Sequence, residues 1–177
     1  MTAFIALLRA VNVGGTGKLA MTELVALCEA AGFARVRTYI ASGNVVFASG
    51  LAEAAVKAEL ERRLADFAGK PVGVAVRPAA EMAAVRDANP FADAQANRTV
   101  AIFLDRAPPA DTVEAARGRA GERISLGQRE IYIDYGEGMG QSKLRLPAAS
   151  AGTARNMNTV ARLAAMAADL EGDRRCS

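Results

Sequence analysis

Residues 36–48, VRTYIASGNVVFA, form the stretch from which the fold is most directly inferred. Apolar and polar side chains alternate from Val36 to Ile40, which is the pattern of a half-buried strand. The run at 45–48 is apolar throughout and of strand length. The Ser-Gly-Asn tripeptide between these two runs is typical of a tight turn or a bulge. The stretch therefore predicts two consecutive strands.

The segments on either side of this pair complete a known supersecondary pattern. A predicted strand and helix precede it, and a predicted helix and strand follow it, with a glycine directly after the first helix and shortly after the second. The order β-α-β-β-α-β is the signature of a ferredoxin-like unit with both helices on one face. We assign this first lobe to residues 1–78. Its flanking elements are expected at residues 4–11, 20–31, 53–67 and 72–77.

The remainder of the chain repeats this rhythm less completely. A short helix at 78–87 and an Asn-Pro break lie within a connecting segment, residues 79–97. The second lobe, residues 98–177, is predicted as β-α-β-β-α without a closing strand. The fold class is therefore α+β, with two packed lobes. The predicted elements of the second lobe are strands at 99–104, 123–126 and 130–135, and helices at 113–120 and from about residue 156.

Composition excludes several classes of chemistry. The 177 residues contain no histidine, which excludes Ser-His and Cys-His nucleophile pairs and an imidazole base. Two cysteines are too few for a disulfide scaffold or a cysteine-only zinc site. No cluster of residues suggests a metal site, no motif identifies a cofactor, and no catalytic residue is assigned.

The loop after the first predicted strand is the first candidate binding site. It runs from Arg9 through a glycine-rich turn to Lys18, just before a predicted helix. Free backbone N–H groups and the helix dipole make such a junction attractive to an anion. The alternative is a turn that needs glycine only for its backbone angles. The ligand-binding candidates here are Arg9, Asn12, Gly14, Gly15 and Lys18.

The turn between the two central strands supplies two further candidates, Ser42 and Asn44. We expect this turn to lie at the opposite end of a regular ferredoxin-like sheet from the loop after the first strand. The two features would then build separate sites. If residues 39–47 instead form one bulged strand parallel to the first, they share a rim, and the sequence leaves this open.

A basic stretch near the C-terminus is the third candidate. Residues 141–163 carry four cationic side chains and no acidic one. Arginine side chains and a helix N-terminus are suited to a phosphate or a carboxylate. The alternative is a loop followed by a helix that Asn and Thr cap. The candidates in this stretch are Ser142, Lys143, Arg155, Asn156 and Asn158.

The leading hypothesis is a small cytoplasmic protein that binds a phosphorylated or carboxylated small molecule. A net charge of +3 is too small to require a polyanion as partner, and no segment is long and apolar enough for a membrane. Specific nucleic acid is disfavoured because the strand aromatics do not match an RNA-recognition pattern, so an RNA-binding module is a weaker third hypothesis. The alternative from another class is a protein-interaction or dimerisation module without catalysis, since exposed strand edges allow a homodimer.

Several separated motifs resemble one bacterial family. The motifs lie at residues 5–15, 38–47, 135–144 and 153–160, and together they resemble the family of domain of unknown function 1697. The resemblance implies two α+β lobes in a cytoplasmic protein. It brings no established activity, cofactor or catalytic residue. This chain departs from the form of the family at Ala10, where glycine is usual, and at Met157, where tryptophan is usual.

Overall fold

The computed structural model describes residues 1–11 and 18–173. The chain divides into two compact units. The first unit comprises Met1–Ala83 and the chain from Leu163 onward, and the second comprises Ala84–Arg162. The exact division into 1–78, 79–97 and 98–177 stays a prediction.

The first unit confirms the predicted order β-α-β-β-α-β. The residues that precede its two main helices, Ala20 and Ala52, both have an extended backbone conformation. A short helix then leads towards the second unit. The elements are β1 (Thr2–Leu8), α1 (Met21–Ala30), β2 (Ala34–Thr38), β3 (Asn44–Ser49), α2 (Glu53–Ala68), β4 (Val74–Pro78) and α3 (Ala79–Asp87).

The four strands form one antiparallel sheet in the order β2-β3-β1-β4. Alternate residues of the strands face a core to which α1 and α2 also contribute. Within that core the rings of Phe33 and Phe47 stack with their centroids 4.4 Å apart. Phe4, opposite Phe47 in the register of β1 and β3, brings a third ring to the same face. Burial of this face holds the helices on the sheet.

The end of β1 and the turn before β3 lie at the same edge of the sheet, which corrects our expectation that the loop after β1 begins at the opposite end. β1 and β2 are both antiparallel to β3, so they run in the same direction and end at the same edge. The Leu8 N–H donates to the Gly43 carbonyl oxygen at 2.8 Å. The two features are therefore neighbours through ordinary antiparallel pairing, without one bulged strand parallel to β1.

The second unit contains a sheet with the same strand order. Its strands pair antiparallel in the order β6-β7-β5-β8, which matches the first sheet strand for strand. The apolar core on one face includes Ile102, Ile131 and Ile133. The elements are β5 (Thr99–Phe103), β6 (Arg123–Leu126), β7 (Glu130–Asp134) and β8 (Thr153–Asn156), with short 3-10 turns at Gly136–Gln141 and Pro147–Ala149. The helix α4 (Met157–Gly172) begins in this unit, and its residues from Leu163 onward belong to the first unit.

Two predictions for the second unit are wrong. Residues 113–120 do not form a helix, because Arg117 pairs its backbone with that of Arg145 and Gly118 has a positive φ of 68°. A closing strand does exist: β8 pairs with β5, although its sequence Thr-Ala-Arg-Asn lacks the apolar alternation of a strand.

None of the helices among the described residues has the length and apolar character that crossing a bilayer demands.

Gly43 is the position at which the shared edge of the first sheet is most sensitive to substitution. Its φ is +83°, and a Cβ there would lie 2.5 Å from Val11 Cγ2 and 2.8 Å from Leu8 Cβ. We expect Gly43→Ala to reduce the free energy of unfolding by about 2–4 kcal/mol, through backbone strain and overpacking. Urea denaturation measures the change.

Gly50→Ala is the matched control for this substitution. Gly50 follows the far end of β3, and a Cβ there would meet nothing within 4 Å. We expect a change within about 0.5 kcal/mol. Equal losses of unfolding free energy in the two variants would show that the close approach at Gly43 does not cause the destabilisation.

Candidate functional site

Arg9 stands where the central strand of the first unit leaves the sheet. The Arg9 N–H donates to the Gly73 carbonyl oxygen at 2.9 Å, one residue after the bond from Leu8 to Gly43. The Cβ and Cδ of Arg9 lie 3.7 Å from where a Cβ of Gly73 would be, so its aliphatic stem passes directly over this glycine. The backbone on both sides of β1 therefore positions Arg9.

A pocket of about 370 Å³ opens beside Arg9. Three cationic side chains line it, Arg9, Lys18 and Lys70, and they come from three separate segments. None of the described residues that line it is acidic. The remaining lining residues are Ala10, Val11, Leu19, Leu64, Phe67, Ala68, Pro71 and Val72.

The end of α2 shapes the apolar side of this pocket. Leu64 is buried, whereas Phe67, one turn further on, is 46% exposed. Gly69 then takes the left-handed conformation with φ 69° and ends the helix. This reversal brings Lys70 to the pocket beside the aromatic ring.

Lys18 precedes the start of α1, where the sequence predicts an anion site. The structure already places a carboxylate there, because the Glu23 Oε2 accepts a hydrogen bond from the Ala20 N–H at 2.9 Å. The helix N-terminus is thus partly satisfied from within the chain. The positive charge of this region comes chiefly from the side chains of Arg9, Lys18 and Lys70.

The other candidates of the first unit lie in the loop after β1 and in the turn before β3. Asn12, Gly14 and Gly15 lie outside the described residues. Asn44 is buried, and its Nδ2 donates to the Tyr39 carbonyl oxygen at 3.0 Å and to Ser42 Oγ at 2.9 Å. These bonds tie the turn together, and a ligand-binding role for Ser42 and Asn44 stays a prediction.

In the second unit, Ser142 and Lys143 line a different pocket, of about 530 Å³. It also contains two carboxylates, Glu122 and Glu137, which the fold brings there from outside the basic stretch. Nothing in the local sequence around Glu122 signals this role. The anion site predicted from the cations of residues 141–163 therefore shares its pocket with two negative charges.

Glu122 is the side chain that organises this second pocket. It is buried, and it accepts hydrogen bonds from the Ala120 N–H at 2.6 Å and from Ser142 Oγ at 2.7 Å. The first of these bonds is the larger cause of a lowered pKa for Glu122, and the bond from Ser142 adds to it. Gly118 leaves room for the Lys143 carbonyl, which any Cβ at residue 118 would strike.

The last candidates stand where β8 meets α4. The Asn156 Oδ1 accepts a hydrogen bond from the Thr159 N–H at 2.9 Å, so Asn156 caps the helix, as the structural alternative predicts. Arg155 lies opposite Ala101 in the sheet, its Nη1 donates to the Ala154 carbonyl oxygen at 2.9 Å, and burial lowers its pKa to about 10. Asn158 is exposed. Ligand-binding roles for these three residues stay predictions.

The sequence matches the family described as Protein of unknown function (DUF1697) over residues 1–132. The chain belongs to the DUF1697 family. A solved structure, described as that of the conserved bacterial protein SP0830 from Streptococcus pneumoniae, is similar to this chain with a TM-score of 0.76. The alignment covers 94% of this chain and 98% of that one at 22% identity, which shows the fold alone. No curated protein matches this DUF1697 chain.

Burial affects two potentially reactive side chains, Cys28 and Tyr132, in the described part of this DUF1697 chain. No group of three or more Cys, Asp or Glu side chains there could hold a metal ion. Burial raises the pKa of Cys28 to about 12, so its thiolate is disfavoured. Burial likewise raises the pKa of Tyr132 to about 12, and its hydroxyl donates to the Val85 carbonyl oxygen.

Ala10, which lines the Arg9 pocket, has a φ of +54°. This conformation costs an alanine about 1–2 kcal/mol relative to glycine. We expect Ala10→Gly to stabilise the protein by about 0.5–1 kcal/mol, since glycine also loses more chain entropy on folding. Thermal unfolding measures the change.

Ala107→Gly controls for the chain entropy that any such substitution adds. Ala107 is exposed, has no positive φ and precedes Pro108. We expect this variant to lose about 0.4–1 kcal/mol. If the melting temperatures of both variants shift in the same direction, the backbone at Ala10 is not strained.

The lowered pKa of Glu122 makes its contribution to stability depend on pH. Its carboxylate stabilises the folded state above the unfolded pKa of about 4.3, and this stabilisation is lost as the pH falls through the lower folded value. We expect Glu122→Gln to have a lower melting temperature than the wild type at neutral pH. This difference in melting temperature should shrink as the pH is lowered. Glu137→Gln, on the exposed rim of the same pocket, should show no such difference. A constant difference at every pH would contradict this assignment.

Proposed function

We propose that this protein binds a phosphorylated or carboxylated small molecule in the pocket beside Arg9. One observation carries the proposal: Arg9, Lys18 and Lys70 line the pocket, and no acidic residue is among its described lining residues. Three cations around one concavity attract an anion more strongly than the same cations spread over a surface.

The dimensions and chemistry of the pocket support a small ligand. Its volume of about 370 Å³ lies within the range of small-molecule sites, which combine apolar walls with a few polar groups. An arginine can donate two parallel hydrogen bonds to one carboxylate or phosphate, and lysines add flexible point charges. The proposal therefore concerns binding and assigns no reaction.

A cytoplasmic location is part of the proposal. Cys28 is a free thiol buried in the core of the first unit, which suits a reducing compartment. The family description names no ligand, and the description of the solved structure says only that the protein is conserved and bacterial. The ligand class thus rests on the pocket itself.

Calorimetric titration with methyl phosphate, at low salt, tests this proposal. We expect Arg9→Gln, Lys18→Gln and Lys70→Gln each to weaken binding by roughly tenfold, because each removes one charge-assisted contact. Raising the salt concentration should weaken binding to the wild type, since the attraction is screened.

Arg37→Gln is the matched control for these substitutions. Arg37 is an exposed cation on β2 in the same unit, and it does not line the pocket. We expect this variant to bind as the wild type does. Equal weakening by Arg37→Gln, or no heat of binding at millimolar methyl phosphate, would contradict the proposal.

A further inference from the structure

We infer that the ligand of the Arg9 pocket is an amphipathic anion: one phosphate or carboxylate head attached to an aromatic or short aliphatic body. The inference rests on the proposed function and adds to it the chemistry of the part of the ligand that faces away from the cations. It depends on Phe67, whose ring lines the pocket without belonging to the core.

The apolar stripe of α2 extends beyond the core that it helps to form. Val56, Leu60 and Leu64 follow one another at helical spacing, and all three are buried in the core cluster. Phe67 is the next residue on the same stripe, yet it is 46% exposed and lies outside that cluster. The stripe therefore ends in the wall of the pocket.

Other apolar residues line the same pocket as Phe67. Pro71 and Val72 come from the segment after the helix, and Ala10 and Val11 come from the end of β1. Each of these side chains lacks a polar atom, so this part of the pocket offers a ligand no hydrogen bond except from the backbone.

The two kinds of lining surface favour different parts of one molecule. Arg9, Lys18 and Lys70 compensate a negative head, and burial of an apolar body against the Phe67 ring removes apolar area from water. A hydrophilic polyanion without an apolar or aromatic part, such as a sugar bisphosphate, would use the cations and leave the ring exposed. The arrangement therefore selects for an apolar body as well as for charge.

A comparison of methyl phosphate with phenyl phosphate isolates the contribution of the body. Both carry the same head, and both are dianions at a pH well above their second pKa of about 6. If the phenyl group of the ligand covers about half of the Phe67 ring, the apolar area removed from water corresponds to roughly a tenfold gain in affinity over methyl phosphate. We expect phenyl phosphate to bind the wild type about tenfold more tightly, and benzyl alcohol, which lacks the charge, to show no measurable binding.

Variants assign the two contributions to residues. Phe67→Ser should bring the two affinities within about twofold while leaving that of methyl phosphate unchanged. Lys70→Gln should weaken both ligands and preserve their ratio. Leu51→Ser is the matched control, because Leu51 is 45% exposed in the same unit and does not line the pocket. This variant should still bind phenyl phosphate about tenfold more tightly than methyl phosphate. Since Phe67 is half exposed, its variant should fold, and a thermal unfolding curve verifies this.

The outcomes separate failure of this inference from failure of the proposed function. If neither phosphate binds, the proposed function fails and the inference fails with it. If both bind the wild type equally, or if Phe67→Ser keeps the tenfold ratio, the inference is overturned while the proposed function stands. Sedimentation with phosphatidylglycerol vesicles that depends on Phe67, without binding of phenyl phosphate, would overturn it in favour of a membrane surface.

Discussion

The last hydrogen bonds of β1 determine where the surrounding parts of the first unit lie. The N–H groups of Leu8 and Arg9 donate to the carbonyl oxygens of Gly43 on one side and Gly73 on the other, at 2.8 and 2.9 Å. β1 occupies an interior position in the sheet, so these bonds join its end both to the turn before β3 and to the segment before β4. Gly43 permits this approach because a side chain there would overlap Leu8 and Val11. Backbone pairing thus sets the place of Arg9.

The order of elements in the first unit was predictable because each element repeats its apolar residues at its own period. β2 alternates, α2 carries one stripe, and the two main helices, α1 and α2, are each followed by a glycine with positive φ. The second unit was less predictable, because its closing strand is four residues long with a polar sequence. Pairing with β5 creates that strand, and pairing is a property of the tertiary structure. The end of β1 and the turn before β3 share an edge because β1 and β2 run in the same direction, so the prediction of opposite ends was wrong.

The candidate site was predictable only where its residues are near one another in sequence. Arg9 and Lys18 flank one loop, and the structure brings both to one pocket. Lys70 and Phe67 reach the same pocket from a segment some fifty residues later. No local pattern marks Lys70, and the helical stripe that includes Phe67 indicates a core residue and not a pocket residue. Arg77 illustrates the same limit, because it lies in a strand pattern yet is 1% exposed, with its Nε 3.5 Å from a Glu81 carboxylate oxygen. Which cations lie close together in space becomes clear only when the pairing of the strands is known.

Local charge, and not the net charge of the chain, distinguishes the two polar pockets. Opposite and like charges within a Debye length of about 10 Å act together on a ligand, whatever their separation in sequence. The pocket beside Arg9 gathers three cations without a described carboxylate, whereas the other pocket places Glu122 and Glu137 with Lys143. The four cations counted along residues 141–163 therefore overstate the positive charge that a ligand meets at Lys143. A dianion would gain from the first environment and be repelled by part of the second. This contrast is why the first pocket, and not the more basic stretch of sequence, is the better candidate for an anion.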